Sequence, residues 1–339
     1  MVDSSAAHLR DDDHALLRVE DLTVEFGAGR GRRVHAVSGI TFDVLAGETL
    51  SLVGESGCGK STTGRAIVQL PPPTRGRVLY DGDDLAKMSK IQLKKVRPRI
   101  QMIYQDPISS LNPRRTIGRV IDEPLRVWRT GDNKSRGRAV DEILEAVGLD
   151  PSAKSRRPYE FSGGQCQRIC IARALVLDPD LVICDEPVSA LDVSVQAQIL
   201  NLLEEMKERY GLTLIFISHD LAVVRNVSDR VAVMYLGKLC EIGPPEDLYD
   251  APAHPYTAAL MDAAPVADPD APVRQNRALT GELPSPLAPP SGCRFRTRCE
   301  YATERCTNEE PLLRPVGPGQ DHFVACHHPL VETGDPEAP

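Results

Sequence analysis

The sequence predicts an α/β protein in which a mostly parallel sheet is connected by crossover helices. Apolar runs rich in β-formers, LVICDEP, LTLIFISHD and RVAVMYLGKLCEIG, alternate with the helix-like runs CQRICIARALVL and VSVQAQILNLLEEMKERYG. A glycine-rich octapeptide, GESGCGKS, also stands between the apolar strand TLSLV and a helix-like run. Such a strand, turn and helix is typical of the edge of a sheet where ligands bind.

Composition limits the classes of function. The 339 residues leave room for two domains, and the 41 % apolar and 26 % charged content is typical of a soluble globular protein. A net charge of −8 gives no electrostatic reason to bind nucleic acid. The acidic start MVDSSAAHLRDDDHALLRVE lacks the features of a signal peptide, and residues 1–16 are expected to form a disordered tail. We therefore expect a cytosolic protein, with any membrane role peripheral.

The glycine-rich loop predicts a phosphate-binding site. Residues Gly54 to Ser61 fit the pattern G-x-x-x-x-G-K-[ST], in which glycines let backbone N–H groups face phosphate oxygens at a helix N-terminus. Lys60 is expected to reach the β and γ phosphates, and Ser61 a magnesium ion.

Polar residues that follow other strands are candidates for the same chemistry. Asp185 and Glu186 follow the apolar residues of LVICDEP. There Asp185 can lie beside the magnesium-bound phosphate and Glu186 can polarise an attacking water. Gln105 and His219 also follow apolar strands and can hydrogen-bond the γ-phosphate or the water.

A second anion-binding helix start, FSGGQCQR from Phe161 to Arg168, indicates the family. With GESGCGKS, ICDEP, SALD and ISHD in this order, residues 17–245 resemble the ATP-binding subunit of ABC transporters. The resemblance implies a P-loop NTPase core of ABC type with an antiparallel β subdomain. It also implies an inserted helical subdomain at about 106–165 and a small Cys-rich C-terminal extension over 246–339.

The resemblance also implies the roles of individual residues. Glu186 is the general base, His219 the γ-phosphate switch, and Gln105 the link to membrane partners. Magnesium would be held by Ser61, Gln105 and Asp185. Nucleotide contacts would come from the glycine-rich loop, from the segment FSGGQCQR and from a residue at the dimer interface. These residues are Gly54, Glu55, Ser56, Gly57, Cys58, Gly59, Lys60, Ser61, Thr62, Ser162, Gly163, Gly164, Gln165 and Asp192. In a head-to-tail dimer, Ser162 and Gly164 would close over ATP held by the other subunit. The residue that stacks on adenine is expected to be Phe26 or His35.

Several segments resemble one branch of the family, the dipeptide and oligopeptide importers of the DppF and OppF type. These are DPISSLNPR, HPYT at His254 to Thr257, and GELPSPLAPPSGCRFRTRC. The branch implies a subunit on the cytoplasmic face of the inner membrane, paired with a second ATPase subunit of the DppD or OppD type. It also implies two permease subunits and, indirectly, an extracytoplasmic peptide-binding protein. Nickel or other small-solute importers and, more remotely, non-transport ABC ATPases are the alternatives.

Four of the nine cysteines lie in the last 50 residues: Cys293, Cys299, Cys306 and Cys326. Their spacing is irregular for a zinc finger, and four thiolates in a cytosolic protein favour a metal over disulfides. The resemblance implies a [4Fe-4S] cluster on these positions, with zinc or unligated cysteines as alternatives. Three arginines beside them, Arg294, Arg296 and Arg298, would balance the cluster's charge or form a solvated basic face.

Overall fold

The computed structural model describes residues 8–10, 15–29, 31–263, 281–317 and 321–331. The chain divides into two compact units. Unit 1 contains residues Met1–Lys87 and Ser218–Pro339, and unit 2 contains Met88–Ile217.

A four-stranded antiparallel sheet in unit 1 has the order β2-β1-β4-β5. Its strands are β1 (Ala15–Gly27), β2 (Arg33–Leu45), β4 (Arg75–Tyr80) and β5 (Asp83–Asp84). The β1–β2 register runs from Ala15 opposite Leu45 to Gly27 opposite Arg33. Leu17 and Val19 are buried while Arg18 between them is less so, which is the alternation expected of a sheet with one buried face. An antiparallel sheet of this kind was expected from the family resemblance.

A second set of strands in unit 1 has the order β11-β12-β10-β9-β3. The bounds are β3 (Thr49–Val53), β9 (Arg230–Tyr235), β10 (Lys238–Gly243), β11 (Arg314–Pro315) and β12 (Phe323–Val324). β3 is parallel to β9, and both are buried along their whole length, as strands covered on two faces must be. β10 returns antiparallel to β9. The arrangement is therefore mixed rather than parallel throughout.

The region after Pro244 contributes two strands to this set, whereas its proline-rich sequence is expected to form a linker or appendage and not a continuation of the sheet. β12 pairs antiparallel with β10, with Val324 opposite Glu241, and β11 pairs with β12. The sequence does not reveal these strands because each is only two residues long, which is too short to show a periodic pattern.

The described part of unit 1 also contains five helices: α1 (Lys60–Ile67), α7 (Leu221–Val227), α8 (Pro245–Asp250), α9 (Pro255–Ala263) and α10 (Glu304–Asn308). Part of the predicted N-terminal tail is placed against β2. His8 Nε2 lies 2.7 Å from the Thr41 carbonyl oxygen, and Arg10 pairs with the buried Asp43 and Glu48. Residues 1–7 and 11–14 of that tail lie outside the described residues.

Unit 2 is built on three parallel strands, β6 (Ile100–Ile103), β7 (Leu181–Asp185) and β8 (Thr213–Ile217), with β7 in the middle. Every residue of β7 is buried, as its continuous apolar sequence predicts. The helices are α2 (Lys90–Val96), α3 (Ile117–Trp128), α4 (Asn133–Ala146), α5 (Gly163–Leu175) and α6 (Val193–Tyr210). The helix-like runs CQRICIARALVL and VSVQAQILNLLEEMKERYG, quoted from the sequence, correspond to α5 and α6. Throughout the described residues, every helix is too short or too polar to cross a membrane.

Candidate functional site

The glycine-rich loop of unit 1 joins β3 to α1 and turns through three glycines in the left-handed region. Gly54, Gly57 and Gly59 have φ angles of 147°, 81° and 110°. A Cβ on Gly54 would lie 2.1 Å from the Met234 carbonyl oxygen, and one on Gly59 would lie 2.3 Å from the Ala36 carbonyl oxygen. Both contacts are with backbone, so these two positions accept only glycine.

Lys60 is the first residue of α1, and its amine is curled into the loop. Its Nζ donates hydrogen bonds to the carbonyl oxygens of Gly54 at 2.6 Å and Glu55 at 3.0 Å, and only 4 % of the residue is exposed. A lysine held there presents a positive charge at the helix start, next to the half-exposed Ser61 and Thr62. Ser56 and Gly57 are exposed, so the outer part of the loop is accessible to a ligand.

His219, the other predicted site residue of unit 1, follows β8 in sequence and is exposed. The residues on either side hold its backbone. Ser218 N–H donates to the Leu52 carbonyl oxygen at 3.2 Å, and the Asp220 carboxylate caps α7 by accepting from Ala222 N–H at 2.9 Å. The fixed backbone presents the imidazole outward.

In unit 2, the structure brings together two residues that the sequence places 81 positions apart. Gln105, just after β6, donates from Nε2 to Glu186 Oε2 at 2.7 Å. Asp185, immediately before Glu186, is the last residue of β7 and is 1 % exposed. The meeting follows from topology, because β6 and β7 are parallel neighbours and their carboxyl ends share one edge.

Glu186 has a left-handed backbone, with φ at 48°, which is uncommon for a residue with a side chain. Its N–H donates to the Ile217 carbonyl oxygen at 3.0 Å, and its own carbonyl oxygen accepts from Ser189 Oγ at 3.1 Å. These contacts hold the turn that directs the carboxylate toward Gln105.

The second predicted anion-binding helix start is the N-terminus of α5. Ser162 is the N-cap, and it forms a reciprocal capping box with Gln165. Ser162 is exposed, so the helix start is open to solvent in the isolated chain. A Cβ on Gly164 would lie 2.5 Å from Val195 Cγ1, whereas one on Gly163 would meet Leu191 Cδ2 at 3.6 Å.

Asp192 is the N-cap of α6. Its Oδ1 accepts from Ser194 Oγ at 2.7 Å and from Val195 N–H at 3.0 Å, and these hydrogen bonds lower the pKa of the carboxyl group. The side chain is therefore ionised and fixed. The next residue, Val193, is 82 % exposed, which leaves this turn available for a partner.

The two candidates for the adenine-stacking residue differ in their surroundings. Phe26 is 41 % exposed on β1. His35 Nδ1 lies 3.1 Å from a Glu25 carboxylate oxygen, and the backbone N–H of His35 donates to the Pro286 carbonyl oxygen at 2.9 Å. Phe26 therefore presents the more available ring.

The prediction of a [4Fe-4S] cluster, or of zinc in its place, is corrected by the structure. The four C-terminal cysteines are free, and no group of three or more His, Cys, Asp or Glu among the described residues is arranged to hold a metal ion. Burial raises the pKa of Cys299 to about 11 and that of Cys326 to about 12. Thiols with such pKa values are protonated at neutral pH in the metal-free chain.

The three arginines near these cysteines form specific contacts rather than a solvated basic face. Arg298 forms a bidentate ion pair with Glu55 of the glycine-rich loop, Arg294 donates to the Leu236 carbonyl oxygen, and Arg296 donates to Ser291. Sequence reasoning missed the pairing of Arg298 because 243 positions separate it from Glu55.

Tyr256 is a further residue that sequence reasoning missed. Its hydroxyl oxygen accepts from the Glu55 N–H at 2.8 Å. The HPYT motif was its only signal, and that motif indicated the family branch rather than a contact with the loop.

Comparisons with known proteins identify the family of this chain. A family model described as ABC transporter matches residues 37–189, and one described as oligopeptide/dipeptide transporter, C-terminal region, matches residues 240–306. The dimeric structure of a post-hydrolysis state of the ATP-binding cassette MJ0796, bound to ADP and Pi, has a TM-score of 0.62 and 28 % identity. The matched region covers 68 % of this chain and 98 % of the MJ0796 chain. The chain belongs to the ATP-binding proteins of ABC transporters.

Within that family, the chain is similar to oligopeptide transport proteins. It is 51 % identical to the putative oligopeptide transport ATP-binding protein YkfD of Bacillus subtilis, over 92 % of this chain and 95 % of the relative. It is 52 % identical to the oligopeptide transport ATP-binding protein OppF of Salmonella typhimurium, again over 92 % and 95 %. These names describe ATP-binding proteins and mention no metal cluster, in agreement with the correction above.

Proposed function

We propose that this protein is the ATP-hydrolysing subunit of a membrane importer of dipeptides and oligopeptides. The observation that carries the proposal is the pair formed by Gln105 and Glu186 at the end of β7, beside the buried Asp185. A carboxylate held by an amide, on a strained turn, is suited to accept a proton from a water that attacks a phosphate. Glu186 would act as this base, and Gln105 would orient it.

The glycine-rich loop would bind the triphosphate of ATP. Its accessible outer part and the α1 N-terminus offer backbone N–H groups, and Lys60 supplies a positive charge. Ser61 in unit 1, and Asp185 and Gln105 in unit 2, each carry an oxygen of the hydroxyl, carboxylate or amide kind that Mg²⁺ prefers. When bound, Mg²⁺ neutralises charge that develops on the phosphates. His219 would hydrogen-bond the γ-phosphate.

A second ATPase subunit would complete each site. The open N-terminus of α5 at Ser162 and the exposed turn after Asp192 are surfaces on which a partner's nucleotide and loop can dock. The MJ0796 structure is described as dimeric, which supports pairing of two ATPase subunits. The partner would be a related subunit rather than an identical copy, by analogy with the DppD and DppF pairing.

The conformational change that ATP binding drives would be transmitted to two permease subunits. Ile108 and Tyr159, in unit 2, are 66 % and 69 % exposed, and such apolar side chains support docking of a short permease helix. Docking would place the protein at the cytoplasmic face of the inner membrane. An extracytoplasmic peptide-binding protein would deliver the substrate to the permease.

The peptide branch is favoured over nickel import by the match of residues 240–306 to the oligopeptide/dipeptide transporter C-terminal region. We include in the proposal that residues 246–339 form the C-terminal extension of this branch. No observation favours an ABC ATPase that acts on ribosomes or DNA, and the net charge of −8 opposes it.

The test is ATPase activity of the complete transporter in proteoliposomes with its binding protein. Mixed di- and oligopeptides are expected to stimulate hydrolysis and to be taken up, whereas Ni²⁺ should do neither. Stimulation by Ni²⁺ alone would refute peptide import and support the nickel alternative.

The same assembly tests the catalytic carboxylate. Glu186→Gln is expected to lower turnover by about 10²-fold or more while ATP still binds, because only the proton acceptor is removed. Glu204→Gln, on the exposed face of α6, is the matched control. Near-normal hydrolysis by Glu186→Gln would remove Glu186 from the role of base.

A further inference from the structure

A bidentate ion pair joins the glycine-rich loop to the C-terminal residues of unit 1. Arg298 donates from Nη1 to Glu55 Oε2 at 2.7 Å and from Nη2 to Glu55 Oε1 at 3.2 Å. The Arg298 side chain is only 4 % exposed, and that of Glu55 is 26 % exposed. Two-point pairing of a guanidinium with a carboxylate fixes direction as well as distance, so this contact positions Glu55.

The charge of Glu55 makes its pairing matter for the loop's task. Glu55 directly follows Gly54 in a loop that must receive the negative charges of a triphosphate. A carboxylate at this position repels such a ligand unless a cation compensates it. Arg298 supplies that cation and holds the Glu55 carboxylate against its guanidinium group.

The surroundings of Arg298 strengthen the pair. Burial alone would lower the pKa of Arg298, but the hydrogen bonds to Glu55 and the charge of its carboxylate outweigh burial and raise the pKa, so the guanidinium stays charged. Its central carbon also lies 5.9 Å from the centre of the Tyr235 ring. Arg298 is thus held from two directions.

The backbone of Glu55 is fixed by the same cluster. Its N–H donates to the hydroxyl oxygen of Tyr256 at 2.8 Å. Tyr256 is fully buried, with ring centroids 4.7 Å from Tyr235 and 5.4 Å from Phe295. Phe295 belongs to the same short segment as Arg298, so one segment supports both the side chain and the backbone of Glu55.

A second contact connects this segment to the other end of the loop. Arg294 donates to the Leu236 carbonyl oxygen in the turn between β9 and β10. The next residue, Gly237, donates its N–H to the Cys58 carbonyl oxygen at 2.8 Å. Residues 294–298 therefore hold the loop at two points, one direct and one through the β9–β10 turn.

We propose that Arg298 is a positioning residue for ATP binding, which acts through Glu55 by neutralising its charge and turning it away from the phosphates. This inference rests on the proposed function of the glycine-rich loop as an ATP site. It assigns to the C-terminal segment a role in nucleotide affinity that the ATPase core alone does not require.

The test is a double-mutant cycle in the purified full-length chain, with equilibrium binding of ATPγS and ADP as the readout. Arg298→Gln leaves Glu55 charged and uncompensated, so the Kd for ATPγS is expected to rise about fivefold to tenfold. The Kd for ADP should rise less, since ADP carries less charge. In the Glu55→Gln background, the same arginine substitution should change the Kd by less than about twofold.

The control is Arg305→Gln, which removes an exposed arginine of the neighbouring α10 that pairs with Glu309. It should leave both Kd values within about 1.5-fold of wild type. Raising the salt concentration from about 0.05 M to about 0.5 M should reduce the ATPγS defect of Arg298→Gln, because repulsion between charges is screened.

Three results would overturn the proposal. The first is an unchanged Kd for ATPγS in Arg298→Gln. The second is an equal loss in the wild-type and Glu55→Gln backgrounds, which would indicate a general structural role. The third is an equal loss for ATPγS and ADP at all salt concentrations. If Arg298→Gln does not fold, as judged by circular dichroism, Arg298→Lys replaces it. That variant should show a weaker defect that Glu55→Gln removes, and a wild-type Kd would likewise overturn the proposal.

The outcomes also separate this inference from the proposed function. If the wild-type chain fails to bind ATPγS, both are wrong. If the wild type binds normally and the Arg298 variants bind equally well, only the inference is wrong, and the ATPase assignment stands.

Discussion

At the scale of single residues, His254 shows how burial controls chemistry outside the ATP site. The imidazole is 1 % exposed, and its Nδ1 accepts a hydrogen bond from the Tyr256 N–H at 3.0 Å. Burial lowers the pKa of His254 to about 4, against the smaller opposing effect of the Glu241 charge. Protonation would both bury a charge and remove the acceptor for Tyr256, the residue that in turn contacts the glycine-rich loop.

The depressed pKa of His254 predicts a stability that depends on pH. The unfolded chain binds this proton near pH 6.5 and the folded chain only near pH 4, so the stabilising contribution is complete above about 6.5 and is lost as pH falls toward 4. Between pH 7 and pH 5 we expect a loss of about 2 kcal/mol in the free energy of unfolding from this group.

Urea unfolding of the full chain at pH 7 and pH 5 measures this loss. His254→Asn, which cannot titrate, should lose about 2 kcal/mol less than wild type over the same interval. His327→Asn, at a less buried histidine, should behave as wild type. Equal losses in wild type and His254→Asn would contradict the assignment.

At the scale of elements, the local motifs of the site were predictable from sequence and the long-range contacts were not. The glycine-rich loop, the acids after β7 and the capped start of α5 each lie within a few consecutive residues, so strand and helix signals suffice to place them. The ion pair of Arg298 with Glu55 joins residues 243 positions apart. It depends on packing of the C-terminal residues, which no local pattern encodes.

The same distinction explains the wrong prediction about the cysteines. Four cysteines in a short segment give a strong compositional signal, but burial and geometry decide whether thiols can hold a metal. In the structure, Cys306 and Cys326 are buried, and the described residues contain no metal-holding group. The strands β11 and β12 were missed for a related reason, because pairing with β10 forms them rather than their own sequence.

In the turn from β3 into α1, one added methyl group at Gly59 is expected to lower ATP affinity and stability. In Gly59→Ala, the added Cβ would meet the Ala36 carbonyl oxygen at 2.3 Å, at a backbone φ of 110° that alanine rarely adopts. The loop must shift, so we expect ATP affinity to fall by about tenfold or more, with a loss of about 1–3 kcal/mol in the free energy of unfolding.

Gly211→Ala provides the matched control for this substitution. Gly211 also has a positive φ, of 61°, but nothing lies within 4 Å of its added Cβ. It should cost about 1 kcal/mol of stability and leave ATP affinity unchanged. Nucleotide titration and urea unfolding of both variants measure the two effects. Normal ATP affinity in Gly59→Ala would show that the loop tolerates the methyl group.

At the scale of the whole molecule, one chain carries two helix starts to which the proposed function assigns phosphate binding. The α1 start is enclosed by its glycine-rich loop and holds Lys60, whereas the α5 start is capped only by Ser162 and Gln165 and is open to solvent. An open cap of this kind is what the proposed function requires of a surface that completes a second subunit's site. ATP hydrolysis should therefore depend on assembly, and the isolated chain should hydrolyse ATP slowly at a rate that rises with concentration.

Substitution of Ser162 tests this composite site in the assembled transporter. Ser162→Asp keeps an oxygen that can cap α5 but adds negative charge where a partner's triphosphate would dock, so ATPase activity should fall by about tenfold or more. Ser162→Arg adds bulk at the same place and should have a similar effect on closure.

Nucleotide binding by the isolated chain separates closure from folding. It should persist in both variants, because that binding uses the chain's own glycine-rich loop. Ser155→Arg, at another exposed serine of unit 2, should leave the ATPase activity of the complex near wild type. If Ser162→Asp hydrolyses ATP at the wild-type rate in the complex, the α5 start takes no part in the partner's site. A high rate in the isolated chain that is independent of concentration would lead to the same conclusion.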